Sequence, residues 1–235
     1  MLRVLCAAAV ATAVSLLAPQ AAFAADVCIS QAVRDAASVC PALPTAPPVT
    51  PAPAPAVAKG PPDPGSKACI DQGERVEKLR TLGDKDAIIR ELDQLIDIHR
   101  KIETENHPVE TKYRCANITA EILVETAMNW HLRAVGGGQE TNRQNTMKLA
   151  IRVYEKILDH FTAEQIASLQ YPRLSKIDWP SRWRIQYAVA DLNYFLKDWA
   201  KCGPAFDAVV LSAPERRITE EAVFAAALCY HNQYE

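Results

Sequence analysis

From Gly65 to the end of the chain, apolar residues recur about every 3.6 positions, and nowhere do β-branched residues alternate with polar ones for more than a few positions. That period allows helices and little else. Asp84 is placed to cap a helix whose one face carries Ala87, Ile88, Leu92, Leu95, Ile96 and Ile102. A second helix is predicted over 113–134 through Ile118, Ala120, Leu123, Ala127, Trp130 and Ala134, stopping at Gly136-Gly137-Gly138. A third runs from about Asn145 to His160, and Ile166 to Leu169 adds a short one. Asp178 ahead of Trp179-Pro180 reads as the start of a helix reaching Asp198, with Ile185, Val189, Leu192 and Leu196 on one stripe. Helices over 200–212 and from Thr219 to the chain end complete an all-α pattern, and the 8 glycines are too few to suggest an all-β fold.

The sequence before this body is of a different kind. Residues 1–24 carry one charge, Arg3, then an apolar run from Val4 to Ala18, Pro19, and Ala22-Phe23-Ala24, the layout of a secretory signal with a small-x-small cleavage site. The run is shorter than the roughly 20 residues a bilayer span needs, so no membrane insertion is expected after cleavage. Residues 25–66 form a cysteine-containing, proline-rich disordered linker: ten prolines lie between Pro41 and Pro64, with no charge until Lys59. Residues 67–235 are the helical domain. Removal of the signal leaves Cys28, Cys40, Cys69, Cys115, Cys202 and Cys229, an even set that suits disulfides in an exported chain, with fifteen complete pairings open. Lys plus Arg total 26 against 28 for Asp plus Glu, and a net charge of −2 gives no electrostatic case for nucleic acid.

A spacing recurs among the helices: a small residue, an aromatic four positions on, and a branched aliphatic three further. It appears at Ala150, Tyr154, Ile157, again at Cys202, Phe206, Val209, and more weakly at Ile88, Leu92, Leu95. Over 187–214 the pattern resembles a tetratricopeptide repeat (TPR). Val189-Ala190 stand at the family's Leu-Gly pair, Lys197-Asp198-Trp199 at its Gly-Asp-Tyr turn, and Cys202 at its inner Ala. Phe206, Val209 and Pro214 match the positions that follow. Gln186 and Asn193 depart from the family's aromatics. The 52 residues from Ala150 to Cys202 exceed the family's period of about 34, so 18 extra residues lie between.

The resemblance implies an antiparallel helix-pair superhelix, a TPR-like α-solenoid, incomplete at the C-terminus because Thr219–Glu235 looks like the first helix of a further repeat. It implies a peptide groove lined by first helices, near Arg184, Tyr187, Asp191 and Tyr194. It also implies that Cys202 and Cys229 sit on neighbouring antiparallel helices and form a bridge; the other reading is two small buried residues. The run from Trp183 to Asp207, with Ala227-Leu228-Cys229-Tyr230, is also similar to repeats in large envelope proteins of gliding bacteria. The function implied is an exported scaffold binding other envelope proteins or peptides in the periplasm or at the outer membrane, as part of a motility or surface-transport complex. The alternatives are the helical superstructure of a cell-wall-active enzyme whose catalytic domain lies beyond residue 235, and a disulfide-locked bundle with a structural role.

No catalytic residue, cofactor, metal or small-molecule ligand is expected. His99, His107, His131, His160 and His231 lack an accompanying nucleophile elbow, and no cysteine shows C-x-x-C spacing. Glu121 and Glu125, one turn apart, read as a solvated face, and the sequon at Asn117 falls within a helix.

Overall fold

The structure, a computed structural model, describes residues 63–135, 143–212 and 215–235. The expected signal peptide, the expected linker up to residue 62, the expected triple-glycine loop and Pro214 lie outside the described residues. Among the described residues there are eight α-helices, one 3-10 turn and no strand.

The first helix, α1 (Pro64–Leu82), begins inside the segment assigned to the linker, where Asp63 caps it by accepting from the Gly65 and Ser66 amides with Pro64 at the first helical position. Helix α2 (Lys85–Thr104) starts at the expected cap, the Asp84 carboxylate accepting from Ala87 N at 2.9 Å. Helices α3 (Val109–Val135), α4 (Arg143–His160) and the short α5 (Ala163–Ser168) match the periodic segments within a few residues.

The next helix corrects an expectation. It does not start at Asp178: residues Lys176–Asp178 form the 3-10 turn, and α6 runs Arg182–Phe195. Trp179 is extended (φ −58°, ψ 131°), as a residue preceding proline is driven to be, so the helix cannot pass through it. It also ends three residues early. Leu196 caps it and Lys197 follows at φ 57°, the Lys197 amide donating to Tyr194 O and the Asp198 amide to Asn193 O. That bond pair is a Schellman stop. Helices α7 (Trp199–Ser212) and α8 (Arg216–Tyr234) close the chain.

Short connectors make α1/α2, α6/α7 and α7/α8 antiparallel neighbours, α3 packs on α4, and α1 on α3 and α4 on α6 link the pairs. The three recurring stripes all turn inward: Ala150, Tyr154, Ile157, Cys202, Phe206, Val209, Ile88, Leu92 and Leu95 are each at most 2% exposed. Two apolar clusters result, and α6 divides them. Its Ile185, Ala188, Val189 and Leu192 join the larger core of α1 to α5, while Ala190 faces the smaller one with α7 and α8.

Close approach is bought with small residues at two crossings. A β-carbon on Gly73 of α1 would come within 2.6 Å of Ile122 Cδ1 on α3, and one on Gly203 of α7 within 2.5 Å of the Tyr230 ring on α8. Pro204 lies in the second turn of α7, beyond the first turn where proline is costless, and deprives Ala200 O of its usual donor. Both crossings carry a cysteine pair at disulfide separation: Cys69 with Cys115 (Cα–Cα 5.5 Å) and Cys202 with Cys229 (5.7 Å), all four fully buried. The second is the pair implied by the repeat resemblance; the first joins helices that the stripe comparison does not relate.

Candidate partner-binding site

Arg184, Tyr187, Asp191 and Tyr194 fall at helical spacing along one side of α6, yet they reach different neighbours. The Arg184 guanidinium lies 5.4 Å from the Trp183 ring and donates to the carbonyls of Ile177 and Trp179. The Tyr187 ring is half-buried, edge-on to Phe206 at 5.5 Å, and burial pushes its hydroxyl pKa up. Tyr194 stands edge-on to Trp199 at 5.4 Å, half-buried in the smaller cluster. Asp191 is 3% exposed: its Oδ2 lies 3.5 Å from His131 Nε2, and its Oδ1 has no partner. The open groove expected along this side is therefore closed at Asp191 and narrowed by the packing of both tyrosines.

The 18 extra residues noted in the sequence fall between α4 and α6 and supply the Ile177 and Trp179 carbonyls that Arg184 engages. Residues 161–181 run back as a strap along α3. Its own Phe161, Ile166, Leu169 and Tyr171 are buried, and its Trp179 meets Tyr171 edge-on at 5.9 Å. Polar contacts pin it along its length: Tyr113 Oη donates to Ser168 O (3.1 Å), Gln170 N to Asn117 Oδ1 (2.7 Å) and Arg173 N to Glu121 Oε1 (2.7 Å). Arg182 anchors its start by donating to Leu158 O and Phe161 O at the end of α4, both 3.2 Å.

At the strap's centre the Arg173 guanidinium reaches Glu77 on α1 (2.5 Å) and Glu125 on α3 (3.3 Å), while Arg80 joins the same two carboxylates at 3.0 and 3.1 Å. Glu121 and Glu125 are thus no solvated face. Glu121 is 7% exposed, and burial raises its pKa despite the Arg173 amide and charge. Asn117, bonded to the strap and to Tyr113 O (3.1 Å), is held within this contact.

The histidines make a pair and a contact that sequence reading missed. His99, 3% exposed on α2, meets His160 of α4 with Nδ1 and Nε2 2.7 Å apart, and burial lowers both to about 4. His131 Nδ1 lies 3.5 Å from the hydroxyl of the fully enclosed Tyr154. No cluster of three or more metal-ligating side chains occurs among the described residues.

On α8, Glu221 is 2% exposed. One oxygen accepts from Arg217 at 2.8 Å and the other, Oε2, has no partner. Asp191 and Glu221 both act on the Tyr187 hydroxyl to raise its pKa, and Arg217 acts against them. No helix among the described residues is long and apolar enough to cross a membrane. Comparison with protein-family models, with curated proteins and with solved structures found no match.

Proposed function

We propose that the chain is an exported, TPR-like helical-repeat scaffold that binds other proteins in the periplasm or at the outer membrane, within a motility or surface-transport complex. The observation that carries the reading is the α6–α7 hairpin. The family's glycine position in the turn is Lys197, and Lys197 adopts the left-handed conformation for which glycine is favoured. The residues at the family's small, aromatic and aliphatic positions, Ala190, Cys202, Phe206 and Val209, are all fully buried. A hairpin of this design stacks through its small residues and leaves its first helices for ligands. The two cysteine pairs are compatible with an oxidising compartment, as the signal-like N-terminus requires.

The test is expression of the full chain in a bacterial host, with and without residues 2–24. The expected result is recovery in the envelope fraction only when residues 2–24 are present, with Cys69, Cys115, Cys202 and Cys229 refractory to alkylation until reduced. Cross-linking in the native envelope should then recover specific proteins. Recovery of cell-wall fragments alone would favour the enzyme-superstructure alternative instead.

A further inference from the structure

We infer that the His99–His160 pair is an acid-operated latch on the strap: protonating both rings forces them apart, unseats Phe161 and frees residues 161–169 while the long helices stay folded. The inference goes beyond the scaffold reading and holds whatever the scaffold binds.

The pair sits where the strap begins. His99 of α2 and His160, the last residue of α4, approach with Nδ1 and Nε2 2.7 Å apart. Phe161, the next residue, is buried against both rings, its centroid 5.4 Å from that of His99 and 4.7 Å from that of His160. At 2.7 Å the two nitrogens hold one hydrogen between them, whichever ring donates it. One added proton is tolerated, because it goes to an outward nitrogen. A second sets N–H against N–H and brings two positive charges together where they are poorly screened. The contact then breaks, and Phe161 loses the seat the two rings provide.

The groups around the pair offset that charge only in part. On α2, Asp97 is engaged by Arg100 at 2.9 Å, and Asp93 by Lys156 of α4. Glu103 Oε1 stands 3.5 Å from His99 Nε2, which is enclosed without a hydrogen bond, and Asp159 lies beside His160. Arg182, at the start of α6, donates to Phe161 O and adds positive charge to the same corner. Burial outweighs the acids, and both rings are held at about 4, below the ordinary 6.5. Protons have a route in, since His160 is half-buried at the wall of a cavity of about 390 Å³ lined by Asp93, Asp97, Arg100, Lys156 and Asp159.

The rest of the strap is fastened independently of the latch. Gln170 and Arg173 hold it to α3 and α1 through Asn117, Glu121 and Glu77. Ahead of them, Tyr113 Oη donating to Ser168 O ties residues 161–169 to α3, and α5 caps itself through Thr162 and Gln165, so its end bonds travel with it. Opening therefore starts at the histidines and stops at the Arg173 clamp.

The test is native-state hydrogen exchange of the full chain at low urea concentrations, at pH 7 and pH 5, corrected for the intrinsic pH dependence of free amides. Opening of residues 161–169 should rise at least tenfold from pH 7 to pH 5, because the rings take up protons readily only when apart, and it should not depend on urea. Amides of α7 should open less often at both pH values and respond steeply to urea, as unfolding of the whole molecule does. Unchanged opening of 161–169, or opening that matches α7 at both pH values, would overturn the inference. His99→Gln with His160→Gln should hold the rise below threefold, and a tenfold rise in that variant would overturn it. If the variant does not fold, the ring titrations of the wild-type protein decide. Both rings must take up their protons over the pH range in which 161–169 open; two protonated rings with 161–169 still closed would overturn the latch.

Discussion

Lys197 carries a conformation that costs a residue with a β-carbon roughly 1 kcal/mol, and nothing in its exposed side chain requires it to be lysine. Lys197→Gly is expected to raise stability by about 0.5–1 kcal/mol in urea denaturation, net of the greater entropy glycine loses on folding. A decrease would show that the side chain contributes something the geometry does not reveal. Gly203→Ala has the opposite sign. Its β-carbon would meet Tyr230 Cε1 at 2.5 Å, and the ring is tied to Asp207 at 2.5 Å, so about 1–3 kcal/mol should be lost. The His99–His160 pair titrates with folded values near 4, depressed below the ordinary 6.5 by burial. Stability from this pair is present above pH 6.5 and is lost as pH falls towards 4, because the unfolded chain takes up the protons first. Asp97, Arg100 and Glu103 on α2 and Lys156 and Asp159 on α4 surround the pair. Allowing for solvent screening, His99→Gln with His160→Gln should flatten the decline between pH 7 and 5 by about 2 kcal/mol. Parallel curves for variant and wild type would contradict this.

At the scale of elements, the strap and the cysteine pairs decide which helices move together. Arg173 ties the strap to α1 and α3 at once, and its removal leaves the buried Glu121 carboxylate with only the backbone amide as a donor. Arg173→Ala should cost about 1–3 kcal/mol and increase proteolytic cleavage within 161–181 before any loss of helicity by circular dichroism. Uniform cleavage along the chain would mean that the strap has no separate stability. Cys202→Ala with Cys229→Ala should lower the melting temperature only under oxidising conditions, corresponding to about 2–4 kcal/mol for a bridge across 27 residues. Helical periods and the Asp84 cap were legible in the sequence because each is local, and the Cys202–Cys229 pairing came only from what the repeat resemblance implies. The strap was not, since after the short helix α5 residues 169–181 have no period and are ordered by long-range contacts such as Gln170 with Asn117. The late start of α6 was a local rule given too little weight, the effect of Pro180 on Trp179. Cys69 with Cys115 was hidden because α1 and α3 meet across an intervening helix, which no spacing reports. The sequence placed Asp191 on the same side of α6 as Tyr187, while its burial against His131 depended on how α3 and α6 pack.

At the scale of the molecule, consecutive helix pairs share stripes of the same design, two cysteine pairs clamp the first and last crossings, and a strap covers part of α3. At the α6–α8 end Trp183, Tyr187 and Tyr194 are half-buried, and the scaffold reading assigns the surface they line to a partner. Binding of envelope proteins through that end is the central claim. Its most direct measurement is photo-cross-linking in the native envelope, with a benzophenone amino acid replacing Tyr194 on α6 or, as the control, the exposed Arg90 on α2. Discrete protein adducts from position 194 and none from position 90 are expected. Adducts from neither position, or from both alike, would contradict it.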